Sequence, residues 1–380
     1  MERDAAPAVS DLVRRSQQEW LRIRRAPGAL GRELSESALR LYSRDQHADG
    51  GHVLTGSGWL LAEPVELDEV VLVASFAEQP LPRLGSADHV LPLTAAGDRY
   101  ATPSHAVRDL ARPLLFDDRP SYRLLEVKRD NGFTLTFGLT TFFAGFDARE
   151  AFAHEFKAAW LAAGGSLPRW GALPLRAALG DPFDPARRVM SPGIITLTIR
   201  RGRDGDHRFV LHQRDGRAVA DGGGLCTVMP AGGFQPTSVA NRGADFSLWR
   251  NIMREYAEEF LGNPEPDGSS PVDYTAEPFR SFGAARADGR FRLWYYGIVM
   301  DALTLGPSQR TVAVVDDEVF DRLFAGLVKT NDEGTVIGEG GRSDIPFTDE
   351  AIDRLDPRLS AGSLTLLRLA WRDRHLLLRG

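Results

Sequence analysis

The stretch that decides the reading is Met229-Pro-Ala-Gly-Gly-Phe-Gln-Pro236, followed after a short spacer by Asp245-Phe-Ser-Leu-Trp-Arg-Asn-Ile-Met-Arg-Glu-Tyr-Ala-Glu-Glu-Phe-Leu-Gly262. In the second segment Trp249, Ile252, Met253, Tyr256 and Phe260 recur at spacings of three and four, the stripe of a helix with one face in a core. Glu255, Glu258 and Glu259 stand at i, i+3 and i+4 and therefore share a face. Three carboxylates so close repel one another unless a cation is near, and hard divalent cations take such oxygen ligands. Arg250 and Arg254 offer the other explanation, ordinary surface ion pairs with these acids. Upstream, Gly232 and Gly233 lack a Cβ, so backbone can pass close to a ligand or bend sharply there.

A Pro-x-Gly-Gly turn before a helix that ends in Arg254-Glu-Tyr-Ala-Glu-Glu259 resembles the Nudix box, whose pattern is Gly, five residues, Glu, seven residues, then Arg-Glu-apolar-x-Glu-Glu-x-Gly. The resemblance implies that Glu258 and Glu259 bind Mg²⁺ or Mn²⁺, with Glu255 as a further ligand or base. It also implies that Arg254 holds Glu255 in place and that the Gly232–Gly233 backbone lies against substrate. The first half departs from the pattern. Gly233 stands 21 positions before Arg254 where the family has fourteen, Phe246 occupies the place of the first Glu with Asp245 beside it, and Gly262 comes one residue late. The family's later base is a loop carboxylate, for which Asp332, Glu333 and Glu339 are the candidates here.

The flanks suit such a domain. Ile195, Leu197 and Ile199 alternate with Thr196 and Thr198, and further strands are expected at 207–213, 291–299 and 311–315, with helices near 317–328 and 360–375. Nearer the N-terminus, Glu69–Phe76 reads as a buried strand. Tyr122–Lys128 and Phe133–Leu139 flank Asp130-Asn-Gly132, a hairpin turn whose Asn-Gly supplies positive φ angles. Asp147 is placed to cap a helix from Ala148 to about Ala163, and Ser10 or Asp11 a basic helix from Leu12 to Arg25; a second helix is expected over Glu33–Tyr42. Residues 164–190 are rich in Gly and Pro. The expected organisation is a helical arm at 1–48, an α+β domain at 49–165, a linker at 166–189 and, at 190–380, the Nudix-like α/β/α sandwich with a mixed sheet that the resemblance implies.

Composition narrows the function without naming it. With 43% apolar and 26% charged residues the chain of 380 residues is globular, and its length suits two domains. A net charge of −6 speaks against a nucleic-acid backbone as main partner. Arginine outnumbers lysine 43 to three along the whole chain, a compositional bias rather than a local phosphate patch. The one cysteine, Cys226, fits a reducing compartment. No apolar run approaches a membrane span and no signal peptide is visible, so a cytoplasmic protein is expected. The histidines lack zinc spacing, and His154 and His212 read as structural. Trp294-Tyr-Tyr296 reads as strand core or a base-stacking wall.

The resemblance to the Nudix box implies a Mg²⁺- or Mn²⁺-dependent hydrolase of a phosphoanhydride, such as a nucleoside diphosphate linked to another group. The alternative is a Nudix-like ligand-binding or regulatory protein that senses a nucleotide-type metabolite without turnover. The expected partner is a small phosphorylated molecule; membranes and nucleic acids are not expected, and a homodimer is left open.

Overall fold

The computed structural model describes the chain except at residues 1–4, 27–30, 79, 83–84, 114–115, 131, 215–224, 332–333, 340–341 and 380. Asn131 of the expected turn and the candidate bases Asp332 and Glu333 therefore lie outside the described residues.

The chain builds a mixed α+β structure around three sheets. The largest runs Leu60–Glu66, Phe291–Met300, Pro307–Asp316, Gly193–Arg201, Arg208–Phe209, Ile345–Pro346, and Ala231–Gly233 also pairs with Gly193–Arg201. Pro307–Asp316 and Gly193–Arg201 are parallel and the other pairs antiparallel. A four-stranded antiparallel sheet holds Leu211–Arg214, Cys226–Val228, Thr330–Asn331 and Gly334–Ile337. The third sheet joins Val70–Ala74, parallel, and Pro120–Lys128, antiparallel, to Phe133–Thr141.

The alternation in Gly193–Arg201 explains why the main sheet is covered on both faces. Leu197 and Ile199 pack with Val312, Val314, Leu364, Leu367 and Ala370, under the helix Ala361–Arg372. Thr196 and Thr198 face the other way and are also buried, which polar residues tolerate only when bonded. Thr198 Oγ1 lies 2.7 Å from both the Met229 carbonyl and Tyr256 Oη, and Thr196 Oγ1 is 2.7 Å from Thr311 Oγ1. On that side Ile252, Met253, Tyr256 and Phe260 of the helical segment join Ala313, Val315, Phe282 and Phe324 in the larger core. The Tyr256 ring is ringed by Phe260, Phe282, Phe291 and Phe324 at 4.9–6.0 Å. Each such side chain gives roughly 1.5–3 kcal/mol of burial, so this ring pins the acidic helix to the sheet.

Several sequence expectations shift. The run at 207–213 is two strands, Arg208–Phe209 and Leu211–Arg214, because the chain leaves one sheet for another at Val210. The helix expected from Ala148 begins at Phe142, capped by Thr141, whose Oγ1 accepts the Ala144 N–H; Asp147 lies inside it and accepts the Ser104 N–H instead. The N-terminal helix begins at Ala5 rather than near Leu12, and the second spans Gly31–Leu39. Tyr295 and Tyr296 are buried in the core, and Trp294 packs on it.

Two features join the chain's halves. Leu60–Glu66 pairs with Phe291–Met300 as an edge of the main sheet. Residues 166–189 carry a short helix, Pro174–Leu179, and put Leu173, Leu175 and Leu179 into the larger core. The buried Glu155 carboxylate accepts the N–H groups of Leu175 (2.6 Å) and Arg176 (3.1 Å), answering the open amides of that helix.

Candidate functional site

Ser247 caps the acidic helix, its hydroxyl accepting the Arg250 N–H, so the helix starts at Leu248 and not at Asp245. It is α-helical over Leu248–Glu255 and then widens into a π-turn, Tyr256–Phe260. Gly262, at φ 70°, ends it in the left-handed conformation that glycine adopts without strain. A π-turn takes up about one residue more than an α-turn, which accommodates the late position of Gly262. It also means that Glu258 and Glu259 do not follow Glu255 with regular α-helical spacing.

The helix faces the strand Ala231–Gly233. There Gly232 lies in register with Ile194 and Gly233 with Gly193, so the Gly-Gly pair is a strand rather than a free turn. A Cβ at Gly232 would fall inside the Glu255 carboxylate. One residue earlier, the Ala231 N–H donates to Glu259 Oε1 at 2.9 Å. The strand thus meets two of the three glutamates, one through a missing side chain and one through a backbone bond. Burial is the chief reason that the Glu255 carboxyl is pushed well above the usual range, and the charges of Glu258 and Glu259 add to it.

Among the described residues Arg254 makes no hydrogen bond to Glu255, although its charge favours the ionised Glu255 carboxylate. Its guanidinium donates to Tyr274 Oη (2.5 Å), to the Gln235 carbonyl (2.7 Å) and to Asn251 Oδ1 (3.1 Å), and lies 3.5 Å from Asp245 Oδ1. Asn251 makes the bond to Glu255, from Nδ2 to Oε1 at 3.2 Å, and its Oδ1 also accepts the Gln235 N–H. Asn251 therefore links Arg254 to Glu255 by hydrogen bonds.

Asp245 explains the long spacer. It is 1% exposed and accepts the Thr237 N–H and hydroxyl on Oδ2 and the Tyr274 hydroxyl on Oδ1. The extra residues between Gly233 and Ser247 are thus folded back and tied to the helix through Asp245, Arg254 and Tyr274. Sequence reasoning noted Asp245 without giving it a role and missed Asn251 and Tyr274. Asn251 had a signal, since it precedes Glu255 by one helical turn; Tyr274 lies beyond an irregular segment and had none.

Other candidates sit elsewhere. Glu339 pairs with Arg354 at 2.9 Å. Cys226 is buried, and burial pushes its thiol up. His154 is buried against Trp20, with centroids 5.5 Å apart. Two clefts are described, one beside Arg201, Arg290 and Asp316 and one beside Tyr42 and Trp170; the helix 248–260 lines neither. Among the described residues no three His, Cys, Asp or Glu side chains already stand as a metal cluster. No helix among them is long and apolar enough to cross a membrane.

No protein-family model and no curated protein matches the chain. Among solved structures, a Nudix hydrolase from Alicyclobacillus acidocaldarius is similar over 47% of this chain and 90% of that one, with 12% identity and a TM-score of 0.26.

Proposed function

We propose that the chain is a Nudix-type hydrolase that cleaves a phosphoanhydride with Mg²⁺ or Mn²⁺. Its substrate class would be nucleoside diphosphates linked to a second group. One observation carries the reading: a strand whose glycine makes room for the Glu255 carboxylate faces a helix on which Glu258 and Glu259 follow. The donor set suits the ion, since all three groups are hard carboxylate oxygens. Glu255, Glu258 and Glu259 would hold it. A bound divalent cation would supply charge stabilisation at the phosphoryl oxygens and a more acidic water.

The chain's own residues prepare that site. Asn251 orients Glu255, Arg254 fixes Asn251, and the Ala231 N–H orients Glu259. The mixed sheet with helices on both faces supports a Nudix-like sandwich over 190–380. The arm at 1–48 and the segments 49–165 and 166–189 would then serve substrate choice or regulation, in a cytoplasmic protein.

The test is release of phosphate or a nucleoside monophosphate from a panel of nucleoside diphosphate conjugates, with and without Mg²⁺. Glu258→Gln combined with Glu259→Gln should abolish release while leaving the fold intact, because a glutamine carbonyl can still accept the Ala231 N–H. Unchanged turnover in that variant would sink the assignment. Binding without turnover is favoured by a different observation, the longer spacer after Gly233 and Phe246 in the place of the first Glu. A ligand held tightly and recovered intact in the presence of Mg²⁺ would select it.

A further inference from the structure

We propose that the cleft between the turn after the second helix and the segment 170–183 binds a small alkylated ammonium cation. The cleft measures about 430 Å³, within the ~300–1,000 Å³ range of small-molecule sites. It shares no residue with the stretch 229–262. Three aromatic side chains, Tyr42, Trp170 and Phe183, line it, and Trp170 is 41% exposed. Tyr42 and Trp170 meet edge to face at 5.8 Å, which fixes both rings.

The charged residues that line the cleft have one sign. Asp45 and Asp181 line the cleft with Gln46, and no basic residue does. Among the described residues neither aspartate has an ion pair, whereas Glu150, Asp317, Asp344 and Asp349 each pair with an arginine. The Asp45 carboxyl is held below its usual range by its bond to Ser43, and Asp181 Oδ1 accepts the Phe183 N–H at 2.9 Å, which orients it. The nearest guanidiniums do not line the cleft and are already bonded, Arg176 at its edge on Tyr42. Arg176 donates to the Ala302 carbonyl and to Tyr42 Oη, and Arg187 to the Leu179 carbonyl while pairing with Asp184. Aromatic faces carry negative quadrupole potential, and two carboxylates reinforce it. An alkylated ammonium answers both features at once, whereas a neutral sugar would use the rings and leave the charge unmatched.

The probes are choline, tetramethylammonium and two neutral controls: 3,3-dimethylbutan-1-ol, the carbon isostere of choline, and methyl glucoside. Binding to the full chain is followed by calorimetry and tryptophan fluorescence. Saturable binding of a cation is expected, at least about tenfold tighter than that of either control. Trp170→Leu and the pair Asp45→Asn with Asp181→Asn should each weaken it by about tenfold. These side chains are exposed, so the unfolding midpoint should stay where it is, and it is measured alongside. No saturable binding of either cation overturns the proposal, as does equal binding of a neutral control or unchanged affinity in the variants. The readout is independent of any hydrolysis at Glu255, Glu258 and Glu259.

Discussion

The Cα of Gly232 stands directly against the carboxylate of Glu255, in the space that any other residue's Cβ would fill. Neither Gly232 nor Gly233 has a positive φ, so this glycine is required by close approach and not by backbone conformation. The group it meets is the tip of a flexible side chain, which yields before the sheet does. Gly232→Ala should therefore leave the fold nearly intact and push Glu255 off its position beside Asn251. A displacement of about 1 Å at a catalytic group costs on the order of 10²-fold in rate, and the proposed Mg²⁺-dependent turnover should fall by that much. Gly233→Ala is the control: its Cβ would meet Gln235 Oε1 at 2.9 Å, a movable group on the exposed side of the strand. Equal turnover in the two variants would remove Gly232 from the site.

Arg254 and Asp245 make a second, structural pair. Both are buried, and Asp245 keeps bonds to Thr237 whatever happens to Arg254. Arg254→Met should free the loop at Gln235 and leave the Asp245 charge without its cation. Removal of one partner from a buried pair costs about 3–5 kcal/mol. The Thr237 bonds retained by Asp245 point to the lower end, about 3 kcal/mol, measured as the shift in urea midpoint. Tyr274→Phe removes only the hydroxyl between them and should cost about 1–2 kcal/mol. A null shift for Arg254→Met would show that the loop holds without this pair.

What the sequence could disclose follows from the range of each interaction. The strand Gly193–Arg201 and the stripe Ile252, Met253, Tyr256 and Phe260 were legible because local periodicity encodes burial. The three glutamates were legible for the same reason, being neighbours on one helix. The pairing of Leu60–Glu66 with Phe291–Met300 was not, since nothing in either segment names a partner more than two hundred residues away. Residues 166–189 read as a linker from their Gly and Pro content, while Leu173, Leu175 and Leu179 take their place in the core only once the rest of that core exists. The π-turn after Glu255 escaped because helical periodicity assumes a constant turn. At the site, Asn251 was within reach of spacing arguments, but the choice of Arg254 to bond Tyr274 and Gln235 rather than Glu255 depends on a loop that only the folded chain defines.

His154 gives a prediction in pH. Burial, with Lys157 and Arg24 nearby, lowers its imidazole from 6.5 to about 3, so the ring is neutral where it stacks on Trp20. In the unfolded chain the same imidazole takes up its proton near pH 6.5. Between those two values the unfolded state binds the extra proton and the folded state does not. The stabilisation is therefore fully present above about pH 6.5 and is lost as the pH falls toward 3. The slope contributed by one such group is on the order of 1 kcal/mol per pH unit. Carboxylates titrate over part of the same window, so the comparison is between wild type and His154→Phe, which keeps a ring against Trp20 and carries no proton. The two proteins should diverge as pH drops from 7 to 4.5, with the wild type losing stability faster in urea unfolding. Parallel curves for the two proteins over that interval would show that His154 is protonated in the folded state as readily as in the unfolded one, and the neutral stack on Trp20 would then be wrong.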